Sequence, residues 1–248
     1  PLQSPYTLSA DAYTAMANNQ TGEERQALLL LAAGRLIDEG RWQESLDTLA
    51  QTRPTTSVNV DKKTIFLAKI DLMRKRPQHA LKRLGSVRQV DELSNYDQIL
   101  FHESLALAYK ALGKPLESIS ERMKLEKILP QSIARDNNRR ALWLALISLP
   151  KAELNTIAVE SRDGSMMQGW SKLALIARKN LGHPEAMLAS LQGWEEDFPK
   201  HPARSLLPQS LEDMQGYLFN RPQHIALLLP LSGPLAGPGN AVKDGFMA

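Results

Sequence analysis

Five histidines, a run of three acids, a glycine-rich turn and four tryptophans are the side chains from which this sequence could build chemistry. His79, His102, His183, His201 and His224 stand far apart and never pair at helical spacing. A metal site needs several donors converging on one point, so they read as surface or interhelix histidines, and no metal is expected. Glu195-Glu196-Asp197 closes a helix and reads as solvated charge. Glycoside hydrolysis needs two carboxylates held across a cleft, and here acids are everywhere with none singled out. Gly233–Gly239 lacks both the G-K-[ST] ending of a phosphate loop and the G-x-G-x-x-G pattern, so it reads as a turn. Trp42, Trp143, Trp170 and Trp194 each sit among aliphatic residues on a helical face, which points to core packing. With no cysteine, thiolate catalysis, thiolate metal sites and disulfides are excluded. Neither a catalytic residue nor a cofactor site is expected, and the chain reads as a non-enzyme.

The bulk composition agrees. Of 248 residues, 43% are hydrophobic and only 6% aromatic, a balance that suits helix packing over sheets. The net charge is +3, with Lys and Arg interleaved with acids. No basic stripe carries the aromatics that single-stranded nucleic acid requires, so nucleic acid is not an expected partner. Apolar stretches such as Ala27–Ala33 and Ala141–Ile147 are far too short to span a bilayer. The chain starts at Pro1 without a signal-like segment, and reads as a processed or trimmed product.

What positions these residues is a repeat. Asn95 and Gln98 could cap a helix carrying Phe101, Leu105, Ala108 and Leu112 on one face. Gly113-Lys114-Pro115 breaks it, glycine suiting the position after a helix and proline the first turn of the next. The next helix shows Leu116, Ile119 and Met123 and stops at Pro130. Thr21 and Glu24 spell a capping box, followed by Leu29, Ala32, Ala33 and Leu36, a break at Gly40, and a helix with Trp42, Leu46 and Leu49. Phe66, Ile70 and Met73 precede a break at Arg76-Pro77 and a helix with Ala80, Leu81 and Leu84. Arg135–Leu149 is a helix around Trp143, broken at Pro150, with a short partner around Leu154 and Ile157. Trp170, Leu173, Ala174 and Ala177 share a face, Gly182-His183-Pro184 breaks, and Met187, Leu191 and Trp194 follow. The glycine breaks at 40, 113 and 182 lie about two units of 35 apart, near the roughly 34 residues of a tetratricopeptide repeat. The expected fold is all-α, a superhelical solenoid of degenerate tetratricopeptide-like helix pairs.

The last segment differs in kind. A short helix is expected from Ser210 to about Leu218. The apolar run from His224 to Gly233 then reads as a buried parallel strand, with a Gly-rich turn and a helix start behind it. One strand cannot make a sheet, so a truncated α/β segment, disordered or adventitiously packed, is expected there.

Two features carry a resemblance. Leu105-Ala106, Tyr109, Gly113 and Pro130 sit at tetratricopeptide spacings, as do Trp170, Ala174 and Ala186. The tail Ile225-Ala-Leu-Leu-Leu-Pro-Leu-Ser-Gly-Pro-Leu-Ala-Gly237 looks like the opening of a type I periplasmic-binding-protein domain. That order of parts resembles the LpoA family of outer-membrane lipoproteins, activators of a class A penicillin-binding protein. The resemblance implies a helical domain over residues 1–219, and over 220–248 a linker with the first strand and helix of the second domain. It implies a non-catalytic regulator of peptidoglycan synthesis on the periplasmic side of the outer membrane, held there by a lipid anchor that this chain does not include. The implied partner is a class A penicillin-binding protein, contacted mainly through the C-terminal domain, with peptidoglycan or other periplasmic proteins as further candidates. The sequence departs from the usual repeat at Ser45 and Ser118, where alanine is expected at the tight interhelix position, and at Pro77, where an aromatic is usual. The repeat register nominates Glu103, Lys110 and Arg178 as groove residues for a partner. The alternatives are a peptide-binding adaptor unrelated to the cell wall and a lytic transglycosylase-type helical ring.

Overall fold

A computed structural model describes residues 5–180, 183–206 and 229–247. The chain divides into two compact units, Pro1–Leu206 and Leu207–Ala248. The described part of the first unit is helical, as the repeat predicts. It runs α1 (Ala10–Asn18), α2 (Gly22–Asp38), α3 (Trp42–Ala50), α4 (Ser57–Met73) and α5 (Pro77–Leu84), then α6 (Asn95–Ala111), α7 (Pro115–Ile128), α8 (Ile133–Ser148), α9 (Lys151–Glu160), α10 (Met166–Lys179) and α11 (Pro184–Asp197). Short 3-10 turns lie at Val90–Glu92 and Pro202–Leu206.

The breaks work as the sequence implies. Gly40 and Gly113 take φ of 75° and 68°, and proline opens α5, α7 and α11. A β-carbon makes such φ values costly, whereas glycine reaches them freely. The caps differ from expectation. Ser94, one residue before Asn95, accepts the Asp97 amide at 3.2 Å and donates to the Asp97 carboxylate at 2.7 Å. At α2, Thr21 stands at the cap without a side-chain bond, so the Thr21–Glu24 box does not form. The neighbouring Glu23 caps another helix instead. Its carboxylate accepts the Thr55 amide and hydroxyl, the Thr56 amide at 2.9 Å and the Asn59 side chain at 3.0 Å, at the start of α4.

Cross-helix capping recurs along the stack. Asp61 on α4 accepts the amides of Arg88 and Gln89 before the Val90–Glu92 turn, at 3.1 and 2.9 Å. Lys63 donates to the Thr52 carbonyl just beyond α3 at 2.6 Å, and Arg135 donates to the Leu129 carbonyl that ends α7. Helix ends leave amides and carbonyls without intrahelical partners. Anions belong at the positive end and cations at the negative one. Part of the interleaved charge in the sequence therefore stitches one helix to the next.

Packing is serial through the first three pairs. α2 packs on α3 and α4, α4 on α5 and α6, and α6 on α7. Ala33, Ala68 and Ala106 are fully buried at the tight crossings. The Ser45 and Ser118 hydroxyls donate to the Ala33 and Ala106 carbonyls, each at 2.9 Å, which explains how serine replaces alanine there. Leu29, Leu30, Ile65, Phe66 and Ile70 are at most 1% exposed, each worth roughly 1.5–3 kcal/mol of burial.

The later pairs are less regular. The chain bends through 117° between α8 and α9. Leu149 and Pro150 are both extended there, since a residue before proline is pushed from helical dihedrals. α9 consequently packs against α10, which also meets α8 and α11. Trp170 and Trp194 are core residues at 1% and 2% exposure, whereas Trp42 and Trp143 are half-buried, Trp42 beneath the Arg74 guanidinium. His201 packs edge-on against Trp170, Trp194 and Phe198.

In the second unit the described residues form a turn at 232–235 and α12 (Ala236–Met247), where the glycine-rich turn and helix start were expected. The Ser210–Leu218 helix and the first half of the His224–Gly233 strand lie outside the described residues, and residues 229–233 are not in a strand. No single described helix is long and apolar enough to cross a membrane.

Candidate binding cavity

A cavity of about 460 Å3 in the first unit gathers several charged and polar side chains, none of them a histidine or a tryptophan. That volume falls in the range of small-ligand sites, roughly 300–1,000 Å3. Residues of five helices line it. α4 contributes Lys69, α6 contributes Ile99, Leu100 and Glu103, α7 contributes Arg122 and Leu125 with Leu129 just beyond its end, and α8 contributes Asn137 and Asn138. Ile37 and Asp38 at the end of α2 and Tyr96 on α6 complete the wall.

Most polar groups in it hold one another. Lys69 Nζ donates to Glu103 Oε2 at 2.9 Å, and Tyr96 Oη donates to Asp38 Oδ1 at 2.7 Å. Burial, and then that bond to Asp38, raises the Tyr96 pKa, so the phenol stays a donor. Asn138 reaches α7 twice, accepting Arg122 Nη1 at 3.3 Å and donating to the Arg122 carbonyl at 3.0 Å. A second bridge lies beside it, where Glu126 Oε1 accepts Arg139 Nε at 2.8 Å and Nη2 at 2.7 Å, both residues being buried. These two contacts tie α7 to α8, two of the helices that line the cavity.

Arg122 is the exception. It is 7% exposed, its Nε has no hydrogen-bond partner, and no described carboxylate lies within ion-pair distance of it. Burial lowers its pKa, with Glu103 opposing from a distance.

Of the three residues nominated from the repeat, Glu103 lines the cavity. Lys110 lies exposed near the end of α6. Arg178 on α10 donates through Nη1 to the Leu149 carbonyl at 2.5 Å, capping the end of α8. The three do not converge. Arg122, Lys69 and Asn138 were not nominated: register reasoning looked at the first helices of two units, whereas Arg122 stands on a second helix and Lys69 and Asn138 on first helices of other units. Among the described residues no cluster of His, Asp and Glu could hold a metal ion. His102 bonds Glu121 at 2.7 Å, and His201 Nε2 bonds the Met166 carbonyl at 2.8 Å.

The same chain, from residue 3 to 248, matches the family described as "LppC putative lipoprotein". The chain belongs to this LppC family. Among its relatives, penicillin-binding protein activator LpoA of Edwardsiella piscicida is 29% identical over 250 residues, covering all of this chain and 36% of that protein. LpoA of Escherichia coli O6:H1 is 26% identical over 245 residues, covering 98% and 36%. The chain thus spans about a third of the length of these curated relatives. Its fold is that of the solved LpoA structures. The E. coli LpoA amino-terminal domain aligns with a TM-score of 0.69 at 21% identity, over 90% of this chain and 94% of that one. Haemophilus influenzae LpoA aligns with a TM-score of 0.70 at 24% identity, over 98% of this chain and 45% of that one. The sequence-based resemblance and the all-helical paired architecture are both borne out.

Proposed function

We propose that this LppC-family chain is the non-catalytic helical arm of a lipoprotein that activates a class A penicillin-binding protein from the periplasmic face of the outer membrane. The observation that carries this reading is the match along essentially the whole chain to proteins named as such activators, joined to a stack of helix pairs with the same fold. On this reading residues 1–219 form the arm, and residues 220–248 open a type I periplasmic-binding-protein-like domain that meets the synthase. A support role fits the interior. The buried acids of the described stack are committed to it: Asp71 pairs with Arg83 at 2.7 Å, Asp97 with Lys62 at 3.2 Å, and Glu121 with His102 and Lys124.

The reading is tested by cross-linking assays with a class A penicillin-binding protein and its lipid-linked substrate. The chain extended through its C-terminal domain is expected to raise peptide cross-linking, and residues 1–248 alone are not. An extended protein that leaves cross-linking unchanged defeats the proposal, as does full stimulation by residues 1–248.

A further inference from the structure

We propose that the cavity between α6, α7 and α8 captures the free C-terminal carboxylate of a peptide ending in an aliphatic residue, with Arg122 as the anion-binding group. The argument begins with an imbalance. Arg139, Arg83 and Lys62 each have a carboxylate within 3.2 Å. Arg122 is as buried as Arg139, yet its guanidinium makes one bond, a long one to a neutral amide. A buried charge without its counter-charge is unfavourable, so the site is built to receive an anion. The nearest acid that influences it, Glu103, is already held by Lys69.

The charge count selects the ligand. Two cations, Lys69 and Arg122, and two acids, Asp38 and Glu103, line the space; Lys69 and Glu103 are paired with each other, so what is missing is a single negative charge placed on Arg122 itself. A carboxylate supplies one. A phosphate dianion would carry about two and would face Asp38 and Glu103 across the same space. Shape selects further. Guanidinium offers paired N–H groups that match carboxylate oxygens, and Ile99, Leu100, Leu125 and Leu129 form an apolar wall beside it. An α-carboxylate carries its own side chain one bond away, so one residue can place its anion on Arg122 and its aliphatic group on that wall. The exposed Asn137 amide at the rim can bond the preceding peptide group.

This inference stands independently of the activator reading, because its test reads binding to the chain and not cross-linking. The probes are N-acetyl-Ala-Leu, its C-terminal amide, and acetate, titrated into the protein and followed by amide chemical shifts. The acid is expected to bind and to move resonances of α6–α8, with the amide and acetate each at least tenfold weaker. Arg122→Met should weaken the acid at least tenfold without changing the amide. Glu103→Gln, whose amide oxygen can still accept the Lys69 bond, should tighten the acid two- to threefold by removing a negative charge from the cavity wall. Equal affinities for acid and amide, acetate binding as tightly as the peptide, or no change in either variant overturns the proposal.

Discussion

The bridge between α7 and α8 is where this fold is most open to a decisive perturbation. Glu126 and Arg139 are 5% and 8% exposed, and Glu126 Oε1 takes two charged hydrogen bonds while Oε2 takes none. Truncating Glu126 to alanine leaves Arg139 buried with Asp136 as its remaining ion-pair partner, at 3.5 Å on an exposed side chain. Breaking a buried pair from one side costs roughly 3–5 kcal/mol, while replacing both partners with apolar groups of similar volume is near neutral. Because Asp136 compensates in part, we expect the lower end, about 3 kcal/mol. For a domain of about 200 residues each kcal/mol moves Tm by roughly 2–4 °C, so Glu126→Ala should melt about 6–12 °C early. The double variant Glu126→Met/Arg139→Met should melt within a few degrees of the parent. Thermal unfolding followed at 222 nm for both variants and the parent decides the matter. A single variant within about 2 °C of the parent, or a double variant worse than the single, refutes the claim that the pair is a mutually dependent buried unit.

Three further outcomes follow from the same packing. A β-carbon at Gly169 would lie 2.5 Å from His201 Cδ2 and 3.1 Å from Phe198 Cδ1, so Gly169→Ala should cost about 1–3 kcal/mol in denaturant titration; a neutral result would mean that these rings yield freely. His201 accepts the Ala203 amide on Nδ1 and bonds the Met166 carbonyl through Nε2, and burial lowers its pKa. The unfolded chain therefore binds the proton more readily, and this contribution is complete above the unfolded value, about 6.5. Stability should fall as pH drops below that value, and His201→Gln should flatten the Tm profile in that window; an unchanged slope contradicts the assignment. The Glu23 carboxyl, held by Thr55 first and then Asn59, should titrate at about 2 by carbon-detected NMR, and a midpoint near the ordinary 4.5 would remove its role as the cap of α4.

What could be read from the sequence was what depends on neighbours three or four residues apart. Leu29, Ala32, Ala33 and Leu36 were placed on one face by spacing alone, and all four are buried. Gly113-Lys114-Pro115 announced the α6–α7 turn because each residue has a backbone reason to be there. Leu116 was assigned to the buried face by the same logic and is 45% exposed, on the rim of a shallow groove that Ile157 and Met167 also line. The caps failed for a related reason. Glu23 and Glu24 look alike in the sequence, and only the arrival of α4 more than thirty residues later gives Glu23 its amides.

The cavity lay further out of reach, and the reason bears on repeat proteins of this degenerate kind. In a regular stack the first helix of each pair lines the concave side, which is why Glu103 was found. Here Asn138 holds the Arg122 carbonyl and guanidinium together, and Glu126 holds Arg139, so α7 and α8 meet through polar groups instead of an alanine seam. That junction brings a side chain of a second helix to the surface that first helices usually own. A heptad or repeat template carries no term for such an exchange. Only the pairing of Asn138 with Arg122 sixteen residues away reveals it, and those two residues look unremarkable apart. If α7 and α8 met through a small-residue seam like Ala68 and Ala80, Arg122 would have no neutral partner to orient it and no reason to be buried. The polar junction and the buried Arg122 without an ion-pair partner are therefore one feature, and disrupting Glu126–Arg139 should weaken carboxylate binding as well as the fold.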